Sequence, residues 1–190
     1  MERPMSESAQ ANAKDGYYTL SGDVNNDMVS RVFEGTARMS AGRITTAHVL
    51  LHSHGGYVSD GICLYNYLGN LGIHFVMYNC GVVASIAAIV FLAGKRRVAS
   101  ETARFMIHKS HASPHDGLRS EALKIIADGL IADDARTESL LKRHLTLTPA
   151  QWKVYGHSDL HIAAIDACTA GLVDAIGDFA PPRGSKVVAL

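Results

Sequence analysis

The stretch Gly81-Val82-Val83-Ala84-Ser85-Ile86-Ala87-Ala88-Ile89-Val90-Phe91-Leu92-Ala93 passes from small residues, through one hydroxyl, into an unbroken apolar segment. The first half suits the end of a strand with a tight turn, and the second half a buried helix, so Ser85 stands at a strand-to-helix junction. A hydroxyl there lies beside the unpaired N–H groups of the first helical turn, where the helix dipole favours a developing oxyanion. That is a nucleophile's position. The structural alternative is a plain N-cap, a role serine fills at many helix starts.

Downstream, Phe105-Met106-Ile107-His108 reads as a short buried strand that delivers an imidazole at its end. Upstream, Ala47-His48-Val49-Leu50-Leu51 runs into His52-Ser53-His54-Gly55-Gly56, whose paired glycines let backbone N–H groups approach a ligand closely. Taken singly, a strand-end histidine is a core or surface residue and a Gly-Gly pair is a turn. Three apolar strands that each end in a chemically useful group are instead the pattern of a site built at the carboxyl ends of strands.

The coarse organisation is alternating. Strands are expected over 17–20, 44–51, 74–78, 96–99 and 104–107, and helices over 26–39, 58–71 and 84–92, which is an α/β chain. From 118 to 145 the pattern turns helical and long, with Leu118, Ala122, Gly129, Arg136, Leu140 and Leu141 tracing an incomplete apolar face. An extended helix protruding from a small domain cannot bury such a face alone. The alternative is a helical hairpin broken near Gly129. Thr148-Pro149 caps and opens one more helix. Residues 1–16 read as a flexible N-terminal tail, 17–180 as a single domain, and 181–190, with Pro181-Pro182-Arg183-Gly184, as a flexible C-terminal tail.

Composition permits a single core and excludes several functions. The 190 residues are 47% apolar, enough for one compact domain. Eighteen basic residues balance eighteen acidic ones and no basic stripe interleaves with aromatics, so nucleic acid is not an expected partner. The longest apolar run, 81–94, is short of the roughly 20 residues a bilayer requires. Cys63, Cys80 and Cys168 form no CxxC pair, and the N-terminus lacks the layout of a secretory signal; a reducing, cytoplasmic setting is expected. No cofactor is implied. Ten histidines invite a metal reading through His52 and His54, through His108, His111 and His115, or through His157 and His161. No HExxH or Cys/His pairing accompanies them, so the expectation is no metal.

The motifs His52-Ser53-His54-Gly55-Gly56 with Gly61, Gly81-Val82-Val83-Ala84-Ser85, Met106-Ile107-His108 and Ala170-Gly171-Leu172-Val173-Asp174 resemble, in order, those of the Clp peptidase proteolytic subunit. Thr19-Leu20-Ser21-Gly22-Asp23-Val24 is similar to the family's first strand and turn, and the resemblance runs from about 17 to 176. It implies a Clp/crotonase-like spiral of ββα units with a protruding handle helix over 118–145, an oligomerisation element. It also implies a nucleophile at Ser85, a base at His108, a third triad member at Asp159, and oxyanion donors at the backbone amides of Gly56 and Ile86. The chemistry is coherent, because a serine hydroxyl needs an imidazole to take its proton and the imidazole needs a carboxylate to orient it. Residue chemistry alone leaves Asp116 and Asp166 open as that carboxylate.

The resemblance further implies an ATP-dependent serine endopeptidase acting on peptides or unfolded proteins inside a homo-oligomeric chamber of stacked heptameric rings, served by an ATP-driven unfoldase. Several positions depart from the family. His54 replaces a proline of the Gly-Gly loop, and Lys109-Ser110-His111-Ala112-Ser113-Pro114-His115-Asp116-Gly117 replaces a Gln-Pro start and a glycine-rich strand that aligns substrate. His48 and Leu50 stand where tyrosines are common, and Asn70 where a bulky apolar residue is. These departures point to altered peptide specificity and a divergent partner. The rival readings are a crotonase-like acyl-CoA enzyme, which would stabilise an enolate and has no use for an activated serine, a serine peptidase with Lys109 or Lys124 as base, and an inactive ring-forming scaffold.

Overall fold

The computed structural model describes residues 14–114 and 116–190. In chain order the elements are β1 (Asp15–Ser21), α1 (Asn26–Ala41), β2 (Thr46–His52), α2 (Val58–Asn70), β3 (His74–Asn79), β4 (Val82–Ala84), α3 (Ile86–Phe91) and β5 (Arg96–Ala99). They continue with β6 (Arg104–Ile107), α4 (Ser120–His144), α5 (Pro149–His157), β7 (Leu160–Ala163), α6 (Ala164–Thr169), β8 (Ala175–Ile176) and β9 (Val187–Ala189). The main sheet is parallel throughout, in the order β8-β5-β3-β2-β1-β9. Parallel neighbours need crossovers, and the helices supply them. In β2, Ala47, Val49 and Leu51 are buried while the alternate residues face outward, as a period of two demands.

The second sheet explains the expected spiral. After each of β1, β2, β3 and β5 the chain makes a second, shorter pairing before entering a helix. In two turns this second piece is a full strand, as in β3-β4-α3 and β5-β6-α4. In the first two turns it shrinks to a single bridge residue, Val24 before α1 and Ser53 before α2. Val24 pairs with Gly56, Ser53 with Val83, and β4 with β6, so the second pieces stack side by side. β7 closes this layer antiparallel to β6. The helix–sheet core between the layers is held by residues such as Leu51, Met77, Phe91 and Phe105, with the last two rings 5.2 Å apart.

Local chemistry sets the helix ends. Asn25 caps α1 by accepting the Met28 N–H at 3.0 Å. Thr148 and Gln151 form a reciprocal capping box at α5, with Pro149 in its first turn. α4 is one continuous 25-residue helix that runs through Gly129, so the hairpin alternative is not adopted. Its only buried residues are Thr137 and Leu141, near its C-terminal end, while Leu123, Ile125 and Ile131 are exposed. Among the described residues, no helix is long and apolar enough to cross a membrane.

Two boundaries differ from the sequence reading. Residues 181–190 are not a free tail: β9 adds to the edge of β1 in parallel, Leu190 is buried, and the Arg31 guanidinium binds the Leu190 carbonyl. Leu190 seats where α1 carries Gly35; a Cβ there would meet Leu190 Cδ2 at 2.4 Å. At the other end β1 begins at Asp15, inside the stretch read as a tail, and the rest of that reading, 1–13, lies outside the described residues.

Candidate active site

Ser85 occupies the turn between β4 and α3 with φ 55° and ψ −132°, a conformation side chains rarely adopt. The turn is held from both sides. The Ser85 N–H donates to the Met106 carbonyl at 2.7 Å, and the Ser85 carbonyl accepts from Ala88 at 3.0 Å. The hydroxyl makes no capping bond to its own helix. It meets His108 Nε2 at 2.8 Å instead. The strain thus turns a helix-start serine away from capping and toward an imidazole, a geometry that a strand-turn-helix nucleophile elbow requires.

Sheet register brings the third residue in. Antiparallel pairing of β6 with β7 sets Ile107 opposite Leu160, so the residues just beyond that pair, His108 and Asp159, fall on the same side of the layer. Asp159 Oδ1 lies 3.7 Å from His108 Nδ1, an ion-pair distance longer than a hydrogen bond. Burial of the His108 ring lowers its pKa, Asp159 and Asp134 work against that, and His111 adds to it. The net direction keeps the ring neutral near pH 7, the form that accepts a proton.

The glycine pair has two separate duties. Gly55 has φ 114°, and a Cβ on it would lie 2.7 Å from Ser85 Cβ. Gly56 has φ 153°, and a Cβ there would lie 2.2 Å from the Val24 carbonyl oxygen. Val24 donates to the Gly55 carbonyl and accepts from the Tyr57 N–H, both at 2.8 Å. This parallel bridge uses the groups on either side of Gly56, so Gly56's own N–H points away from Val24. Ile86 is the first residue of α3, where no intrahelical acceptor exists for its N–H. Gly56, Ile86, Ser85, His108 and Asp159 all line one open cleft of about 1140 Å³. Its apolar side includes Ile89 and Leu141.

The other sequence candidates lie elsewhere. Asp116 and Asp166 are exposed and do not line the cleft. The Lys109 ammonium is turned toward Asp134 and Glu138, at 3.9 and 3.6 Å, and Lys124 is exposed on α4. The His52 and His54 rings are 5.9 Å apart and those of His108 and His111 5.1 Å, while His115 lies outside the described residues. Among the described residues, no three His, Cys, Asp or Glu side chains are arranged to hold a metal. His48 stacks on Tyr17 at 4.8 Å and bonds the Tyr78 hydroxyl at 2.9 Å. Sequence reasoning passed over Asp134, whose carboxylate accepts the Ser110 N–H at 2.7 Å, because an acid on a long polar helix reads as a solvated face.

The sequence model of the family described as Clp protease matches residues 5–179. The chain belongs to the Clp protease family. A Clp relative from Chara vulgaris, named ATP-dependent Clp protease proteolytic subunit, is 28% identical over 132 residues. That match covers 67% of this chain and 59% of the relative, so the chain spans less than two thirds of the relative's length. The structure of a ClpP1 mutant from Listeria monocytogenes superposes with a TM-score of 0.71 at 18% identity, over 88% of this chain and 92% of the other. The second likeness shows the Clp fold, the spiral with its handle helix.

Proposed function

We propose that this Clp-family chain is a serine endopeptidase that cleaves peptides or unfolded proteins through an acyl-enzyme. The observation that carries the reading is the 2.8 Å contact between Ser85 Oγ and His108 Nε2, made by a serine held in a strained elbow and not capping its helix. Ser85 Oγ attacks the peptide carbonyl carbon as its proton passes to His108 Nε2. The carbonyl oxygen takes the negative charge, and the N–H groups of Gly56 and Ile86 are its donors. Collapse of the tetrahedral adduct breaks the C–N bond, and His108 gives its proton to the leaving amine. Water, deprotonated by the same ring, then releases the acid and restores Ser85. Asp159 orients His108 and favours its charged form. Burial of the ring, which keeps it neutral beforehand, supports the role of base.

The finer features follow the family resemblance. The exposed apolar residues of α4 support its reading as a handle between subunits, in a homo-oligomer of stacked heptameric rings that encloses the cleft. An ATP-driven unfoldase would feed such a chamber, and a cytoplasmic setting suits it. The irregular segment after His108, in place of a substrate-aligning strand, supports a specificity distinct from that of relatives.

Intact-protein mass spectrometry after treatment with a fluorophosphonate tests the reading. One adduct on the wild type, absent from Ser85→Ala, is expected. A folded, assembled protein that takes no label sinks the peptidase and leaves the scaffold.

A further inference from the structure

The segment leaving the candidate base is fastened to the handle. Regular pairing of β6 ends at Ile107, and the described residues between it and α4 form no helix or strand. Among the described residues, the next main-chain anchor is the Ser110 N–H, which donates to Asp134 Oδ1 at 2.7 Å. The Lys109 ammonium joins the same point, 3.9 Å from Asp134 Oδ2 and 3.6 Å from Glu138 Oε2. Glu138 is itself bound by Lys142 at 2.6 Å, which with Lys109 holds its carboxyl below the usual range.

Asp134 differs from the surface acids around it. Its side chain is only 17% exposed, so its bond to the Ser110 N–H is charge-assisted and little screened by water. Lys109 and Ser110 follow His108 directly. A backbone pinned two residues past the imidazole cannot swing without breaking that bond, and Ser85 on the other side is fixed by its own turn. Charge acts in parallel with geometry. The groups that act on His108 are Asp159, His111 and Asp134, and both carboxylates favour the imidazolium that forms when Ser85 gives up its proton.

We propose that Asp134 is a positioning residue: by binding the Ser110 N–H and the Lys109 ammonium, its carboxylate fixes the backbone that carries His108 and so sets the His108–Ser85 geometry from α4. The inference rests on the peptidase reading. It predicts separable consequences for the two properties of the carboxylate. Asparagine keeps an acceptor oxygen for Ser110 and removes the charge, whereas alanine removes both.

The test compares full-length wild type, Asp134→Asn and Asp134→Ala on a small activated ester across a pH series, with fluorophosphonate labelling of Ser85 alongside. Asp134→Ala is expected to lose about 10- to 100-fold in kcat and in labelling rate, the cost of displacing a reacting group by about an ångström. Asp134→Asn is expected to keep most of its plateau kcat while the acid limb of its profile moves to lower pH, because a charge favouring the imidazolium is gone. Wild-type kcat in a folded Asp134→Ala overturns the proposal. So does a plateau kcat in Asp134→Asn that falls by about 10-fold or more although the acceptor for Ser110 is kept, and this variant decides alone if alanine prevents folding. Wild type that neither turns over nor takes label is a different failure, that of the peptidase reading.

Discussion

Asp159 Oδ1 stands 3.7 Å from His108 Nδ1, while the opposite nitrogen of the same ring is 2.8 Å from Ser85 Oγ. The inner contact is a hydrogen bond and the outer one is not. Asp159 is also 53% exposed against 16% for His108, so water screens its charge. A carboxylate in this position orients the ring weakly. Asp159→Asn is therefore expected to lower kcat about 10²-fold, against about 10⁶ for Ser85→Ala, where triads with a buried, bonded aspartate lose about 10⁴ on the same change. Peptide hydrolysis by the two variants checks this. A loss of about 10⁴ or more in Asp159→Asn would mean that the outer contact closes in the working enzyme.

Acid should weaken both activity and stability. His108 must be neutral to accept the serine proton, and burial lowers its pKa from 6.5, so kcat/KM should fall along an acid limb whose midpoint lies below that value. His48 and His144 are lowered too, each chiefly by burial. For all three, the unfolded chain takes up protons first as pH drops, so the folded state loses stability from 6.5 downward until the folded pKa values are passed. Calorimetry from about pH 8 to about pH 5 should show Tm falling with pH. A Tm that holds or rises over that range would contradict the burial of these rings.

The two adjacent glycines should fail differently. At Gly55 a methyl group would press on Ser85, 2.7 Å from its Cβ and 3.1 Å from its Oγ, with φ at 114°. Ser85 can give way, at a strain of about 1–3 kcal/mol, but for a reacting group a shift of about 1 Å costs about 10²-fold in rate. Gly55→Ala should thus fold and lose most of its activity. At Gly56 the obstacle is the Val24 backbone, 2.2 Å from the new Cβ, within a bridge that ties two turns of the spiral together. Gly56→Ala should lower Tm more than Gly55→Ala does. Measuring Tm and kcat on both variants decides it, and full activity in Gly55→Ala would refute the close approach.

What could be read in the sequence were features whose cause is local. The strand that became β2, the start of α1 at Asn26 and the Ser85 junction each follow from neighbouring residues, and the structure carries all three. What could not be read depends on pairing across the chain. Val187-Val188-Ala189 is too short beside Pro182 and Gly184 to look like a strand, and becomes one because the edge of β1 is open and Leu190 fits over Gly35. The run before Ser85 reads as the end of a strand, but its partner, β6, lies beyond a helix and another strand and shows only in the fold. Asp134 gave no signal because its meaning depends on a loop that touches α4 only after folding.

The exposed face of α4 supplies the remaining prediction. Ile125 and Ile131 are 73% and 66% exposed, on a helix whose buried residues lie only near its far end. Covering one such side chain is worth about 1.5–3 kcal/mol, so exposed apolar side chains of this kind favour association. Ile125→Glu adds a charge where a subunit contact would have to desolvate it. It should lower the assembled mass seen by light scattering while leaving circular dichroism unchanged, because Ile125 packs against little within its own protomer. If the cleft is completed by assembly, peptide hydrolysis should fall in step with the mass. Wild type that runs as a monomer, with Ile125→Glu indistinguishable from it in mass and rate, would remove the handle from the account and leave α4 a helix without a partner.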